Sequence, residues 1–116
     1  MASSNVNYGA PVPSSIADAL RGRYFERFHH MTKVFWIEVA KDPDLSLQFS
    51  QAQLQRMHRG LAPIVQKVNQ VGERKTYELH HIVPIENGGE VYNVDNICVM
   101  TPRALVDMGF QRSEGE

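Results

Sequence analysis

Residues 77–110 read "YELHHIVPIENGGEVYNVDNICVMTPRALVDMGF" and open on two adjacent histidines, His80 and His81. Imidazole titrates near neutrality, so such a pair can move a proton or, when neutral, bind a metal. An Asn-Gly-Gly turn, the Asp95-Asn96 pair and a Thr101-Pro102 helix start follow. A strand, loop, strand, helix unit can set a histidine of its first strand beside its helix. Two histidines at i and i+4 of that helix would share a face and complete a metal site. Counted from Thr101, those positions hold Leu105 and Gly109, and neither can ligate. Successive strand residues also face opposite ways. His80 and His81 therefore line one site only if the chain bends, as Pro84 and the glycines allow. Otherwise one is buried and hydrogen-bonded and the other solvated.

The elements that would position this pair can be read from pattern. Pro13 and two serines start a helix over "PSSIADALRG", with Ile16 and Leu20 one turn apart and Gly22 at its end. Phe28, Met31, Phe35 and Val39 recur at helical spacing over about 28–40, widened by Trp36 and Ala40, and "KDPD" ends that helix. A third helix runs from about 51 to 59, with Ser50 and Gln53 as a capping box and Gly60 as terminator. Residues 61–75 form an extended or looping connection. "TYELHHIV" and "NICVM" read as strands separated by the "ENGG" turn. Thr101 caps a short last helix with Pro102 in its first position. The expected fold class is α+β, a helical N-terminal part packed on a C-terminal ββα unit.

Composition sets the outer bounds. The chain has 116 residues, 42% hydrophobic and 22% charged, enough for one small domain with one core. No apolar run approaches the roughly 20 residues of a membrane span. The start, "MASSNVNYGAPVPSS", has no apolar signal core, so no secretory peptide is expected. Cys98 is the single cysteine, which excludes an internal disulfide. Residues 1–13 read as a flexible leading segment or linker stump, 14–110 as the domain with its ββα unit over about 73–110, and 111–116 as a polar tail.

"YELHHIVPIENGGEVYNVDN" followed by "TPRALVDM" resembles the HNH nuclease domains of DNase colicins and S-type pyocins. The similarity continues upstream through "GAPVPSSIADALRGRYFERF", "VFWIEVAKDPDLS" and "QVGERKTYELHH", and so covers nearly the whole chain from Gly9 to about Met108. It implies a ββα-metal (His-Me finger) core. It also implies a bacteriocin toxin module, made in the producer's cytoplasm, released, and cutting DNA in the cytoplasm of a competitor. It implies two partners, double-stranded DNA and a cognate immunity protein. Carried over residue by residue, His81 is the general base, His80 a metal ligand, and Asn96 the residue fixing the loop that orients His81. Arg74 holds the scissile phosphate and Glu78 is an orienting carboxylate. On the residues alone, the preferred reading is a solvated strand-entry charge at Arg74 with Glu78 as its surface partner.

The chain departs from the family at the metal site and in charge. Leu105 and Gly109 stand where the family has histidines, and a catalytic zinc needs about three protein ligands. The three-histidine Zn²⁺ or Ni²⁺ site is therefore not supported. Asp107 is about 200° around the helix from Leu105. Three readings stay open: Mg²⁺, which needs few protein oxygens; cleavage without a metal; or an inactive nuclease-fold binding module that engages an immunity protein or nucleic acid. A structural zinc held by His80 and Cys98 is a further, weaker reading. Between Glu73 and Asp107 the basic residues are Arg74, Lys75 and Arg103, against Glu73, Glu78, Glu86, Glu90, Asp95 and Asp107. DNA binding should then be weak and salt-sensitive, helped by Arg21, Arg23, Arg27, Arg56 and Arg59, and RNA stays open as a substrate.

In the family the immunity protein docks on the segment before the HNH unit, here 61–71. Leu61, Pro63, Ile64 and Gln70 are the expected contact residues, with Ile64 as an exposed apolar knob. The bland reading packs Leu61, Ile64 and Val65 back onto the helical layer.

Overall fold

The computed structural model describes residues 10–109. Among the described residues there are four α-helices: α1 Ser14–Leu20, α2 Phe28–Lys41, α3 Gln51–His58 and α4 Pro102–Asp107. Three strands, β1 Ala10–Pro11, β2 Glu78–His81 and β3 Ile97–Met100, form an antiparallel sheet in the order β1-β3-β2. The class is α+β. The leading segment is not wholly outside the domain, because Ala10 pairs with Val99 and is buried in the core. Residues 1–9 and the expected tail lie outside the described residues.

Helix α2 is the centre of the core. Phe28, Met31, Phe35 and Val39 form its inner stripe, and Val34, Trp36 and Ala40 are buried as well. A helix apolar on so many sides must be covered from several directions, and α1, α3 and the sheet do this. At its end, Asp42 accepts hydrogen bonds from the N–H groups of Asp44 and Leu45, both at 2.9 Å, and turns the chain. Its carboxyl is held below the usual range, first by the Leu45 amide and then by the Ser15 hydroxyl.

The sheet separates two apolar layers. Leu79, Ile97 and Val99 join the main core, whereas Cys98 and Met100 pack with Leu105 of α4 on the other side. This is the strand alternation expected from geometry. Helix α4 starts as its sequence predicts: Thr101 Oγ accepts from the Ala104 N–H at 3.1 Å, and Pro102 fills the first turn. Ser50 caps α3 through the Gln53 N–H at 3.2 Å. The reciprocal half of the capping box is not made, because the Gln53 side chain is spent on Ile64.

Candidate active site

Strand β2 delivers both histidines in regular pairing with β3, His80 opposite Cys98 and His81 opposite Ile97. The strand does not bend between them, so the side chains lie on opposite faces. His81 turns toward the helical layer. It is 3% exposed and its ring packs on Phe28 with centroids 4.6 Å apart. His80 is half-buried on the α4 side. Burial first, and the neighbouring His81 second, lower the pKa of His80, with Glu78 opposing them.

The hydrogen bond of His81 fixes its tautomer. Nε2 lies 3.0 Å from the Val91 carbonyl oxygen. A carbonyl only accepts, so Nε2 carries the proton and the lone pair of the neutral ring is on Nδ1. Val91 belongs to the loop between β2 and β3, and Asn96 clips that loop shut. Asn96 Oδ1 accepts from the Val83 N–H at 2.7 Å, while Nδ2 donates to the Val83 and Glu90 carbonyls, both at 3.1 Å. Gly89 lies in the same closure. A Cβ there would overlap the Val83 carbonyl and come within 2.9 Å of Asn96 Nδ2. The backbone carbonyl of Val91 was not visible in the residue pattern, since any residue type offers one.

Arg74 and Glu78 form a two-point ion pair, Nε to Oε2 at 3.0 Å and Nη2 to Oε1 at 3.1 Å. The Glu78 side chain is only 5% exposed, whereas that of Arg74 is 29% exposed. Glu78 is thus more than a surface partner. It holds the guanidinium of Arg74 by two of its nitrogens.

The donor set does not fit a three-ligand transition-metal site. Among the described residues no three His, Cys, Asp or Glu side chains converge. Leu105 is buried and Gly109, with φ +76°, has no side chain. Burial pushes the thiol of Cys98, opposite His80, up to about 11. Its Sγ lies 3.6 Å from the His80 carbonyl, to which the thiol donates. A shallow cavity of about 270 Å³ beside the loop is lined by Val83, Gly88, Gly89, Glu90, Asn93, Asp95 and Asn96. Its two carboxylates make it a poor seat for phosphate.

Several of the arginines expected to help with DNA are engaged within the domain. Arg21 pairs with Asp18 and Asp95, both at 2.7 Å, Arg23 approaches Glu38 at 3.8 Å, and Arg56 donates to the Ala62 carbonyl.

The connection before β2 presents two of the expected contact residues. Leu61 and Ile64 are each 42% exposed, but Pro63 is fully buried. Pro63 therefore pins the segment and is not part of its surface, and its carbonyl accepts from the Tyr77 N–H at 3.1 Å. Gln70 is half-buried, with its amide committed to the Val65 carbonyl at 3.0 Å. Val68, which the residue pattern did not single out, is the most exposed apolar residue of this stretch.

A helical layer over a ββα unit, with a histidine pair on the first strand and an asparagine closing the intervening loop, is the architecture of an HNH-type nuclease domain. The chain belongs to the Colicin/Pyocin-S2 DNase domain family, whose model matches residues 1–109. It is 47% identical to colicin-E2 of Escherichia coli and 45% identical to pyocin-S2 of Pseudomonas aeruginosa, each over 100 residues and 86% of this chain. Those stretches are 17% and 14% of the two bacteriocins, so the chain spans a small part of either. Two solved structures are also similar. One is the mutant nuclease domain of pyocin S8 with its cognate immunity protein, at TM-score 0.85 and 42% identity over 91% of this chain and 83% of that one. The other is the pyocin AP41 DNase–immunity complex, at TM-score 0.87 and 36% identity over 93% of this chain and 83% of that one.

Proposed function

We propose that this domain is the endonuclease of a bacteriocin toxin, hydrolysing phosphodiesters of DNA in the cytoplasm of competing bacteria, with His81 as general base. The observation that carries the reading is the 3.0 Å contact of His81 Nε2 with the Val91 carbonyl, inside a loop locked by Asn96. It aims a basic Nδ1, which takes a proton from water as the water oxygen bonds to phosphorus. The ester P–O bond breaks and the leaving oxygen is protonated from solvent. Glu78 shares the His80 face of β2, opposite the ring of His81, so Arg74 must reach across this edge strand to meet the charge that grows on the phosphoryl oxygens, where a planar fork suits two oxygens at once. His81 is buried in this state, so the side chains over it must yield to substrate. The exposed Ile82 and Val83 lie next to it in the chain.

The same domain is proposed to bind a cognate immunity protein through Leu61 and Ile64. The two similar solved complexes each contain an immunity protein, and this segment carries exposed apolar residues on a pinned backbone. DNA binding is proposed to be weak and salt-sensitive, given the acidic balance of residues 73–107 and the internally paired arginines.

A second reading, an inactive nuclease fold that only binds, is favoured by the missing ligands at Leu105 and Gly109 and by the burial of His81. Plasmid cleavage separates the two, run in EDTA and with Mg²⁺, Ni²⁺ or Zn²⁺. The nuclease reading expects cutting under at least one condition and a loss of about 100-fold or more in His81→Ala, with an unchanged circular dichroism spectrum. A wild-type domain that cuts under none of them is a binding module. A His81→Ala variant that cuts at the wild-type rate removes His81 as the base.

A further inference from the structure

Among the described residues, the face of the sheet opposite the main core has no ligand cluster, yet it is not open. Leu105 is 1% exposed and sits against Cys98 and Met100 of β3, with Ala104 of α4 and Met108 just after it packed around them. His80 lies on that face of β2, opposite Cys98. The start of α4 is fixed independently by the Thr101 cap and by the buried Pro102. The helix also packs near the 3₁₀ turn Lys67–Asn69.

We infer that the position where this family would set a transition metal is, in this chain, an apolar minicore that holds α4 on the sheet by packing, so that the domain folds and keeps α4 in place without Zn²⁺ or Ni²⁺. The chemistry of the residues carries this. A metal would need donors from α4, and α4 offers a leucine side chain that is already sealed into hydrocarbon. Placing a hydrated cation there would require expelling Leu105 from contact with Cys98 and Met100, and only one imidazole would receive it. Burying the leucine supplies the same cross-link between helix and sheet by a different force. The way α4 is held does not depend on whether the domain cuts nucleic acid.

The test is thermal unfolding and calorimetric titration of the intact chain. The wild type is expected to melt at the same temperature in EDTA and in excess Zn²⁺ or Ni²⁺, and to give no saturable heat with either ion. Leu105→Ala is expected to lower the melting temperature by about 10 °C or more, with no rescue by metal. Leu105→Met, which conserves volume, should keep most of the stability, and Leu105→Val should fall between. The graded pair keeps the test informative if the alanine variant does not fold. Two results overturn the inference. One is stoichiometric Zn²⁺ or Ni²⁺ binding that raises the melting temperature and disappears in His80→Ala. The other is a Leu105 series that melts like the wild type.

Discussion

Asn96 grips Val83 through both halves of its side-chain amide, accepting from its N–H at 2.7 Å and donating to its carbonyl at 3.1 Å. A third bond, to the Glu90 carbonyl, makes the amide a clip between the two ends of one loop. Asn96→Ala removes all three bonds at a buried position. Loop polar groups then lose their partners, at a cost of about 2–3 kcal/mol. Asn96→Asp keeps the acceptor but turns a carboxylate oxygen toward two carbonyls, so it should be no better. Urea denaturation should show both losses. Plasmid cleavage should fall more than stability does, because the freed loop carries the Val91 carbonyl that orients His81.

Gly89 is required for that closure by space alone. A methyl group there would overlap the Val83 carbonyl, and nearby backbone cannot give way as a flexible side chain would. Gly89→Ala should destabilise the domain by about 1–3 kcal/mol through forced backbone shifts. Gly88, in the same turn, has open space around its Cβ position but φ +92°, so Gly88→Asn should cost much less than Gly88→Val. Equal unfolding midpoints for Gly89→Ala and the wild type would contradict the steric account.

The parts of this fold that were legible in the sequence are those set by local rules. Phe28, Met31, Phe35 and Val39 are all buried, as their spacing predicts, and Thr101 caps α4 with Pro102 behind it. The parts that were not legible depend on distant partners. Ala10 and Pro11 make a strand because β3, some ninety residues on, offers an edge. Pro63 reads as a loop residue beside an apolar knob, yet its ring is buried. Gln53 reads as half of a capping box, but its amide finds two backbone groups of Ile64 instead. At the site, the resemblance supplied His80, His81, Asn96, Arg74 and Glu78, while the Val91 carbonyl, a backbone group common to every residue, shows only in the fold. The residues alone read Glu78 as a surface pair of Arg74, and its burial appears only in the fold.

Cys98 makes a pH prediction. Burial raises its thiol from an ordinary 9.0 to about 11. The folded state therefore holds the proton more tightly than the unfolded state does. The stability this provides is fully present below pH 9 and is lost as pH rises from 9 through about 11. Cys98→Ala should remove this component, so the difference in unfolding free energy between wild type and variant should shrink across that window. At pH 8 the native thiol should react with iodoacetamide far more slowly than the urea-unfolded chain does, since little thiolate forms and the sulfur is covered. Rapid alkylation of the native protein would contradict the burial.

Gln53 gives a prediction that can be read amide by amide. Its Oε1 accepts from the Ile64 N–H at 3.0 Å and its Nε2 donates to the Ile64 carbonyl at 2.9 Å. One turn along α3, Arg56 donates to the Ala62 carbonyl from two of its nitrogens, at 3.1 and 3.3 Å. The helix thereby holds an extended segment as a neighbouring strand would, and Ile64 is left pointing outward on a fixed backbone. In Gln53→Ala the Ile64 amide should lose most of its protection in hydrogen exchange. The Val65 amide, bonded to the Lys75 carbonyl at 2.9 Å, should keep its own. If Ile64 is an anchor for an immunity protein, Gln53→Ala should also weaken that binding through a less ordered knob. A double-mutant cycle with Ile64→Ala separates this from direct contact: the Gln53 effect should vanish once the isoleucine is gone, whereas a direct contact would add to it. Protection at Ile64 that survives Gln53→Ala would mean that Pro63 and the strand side hold the segment unaided.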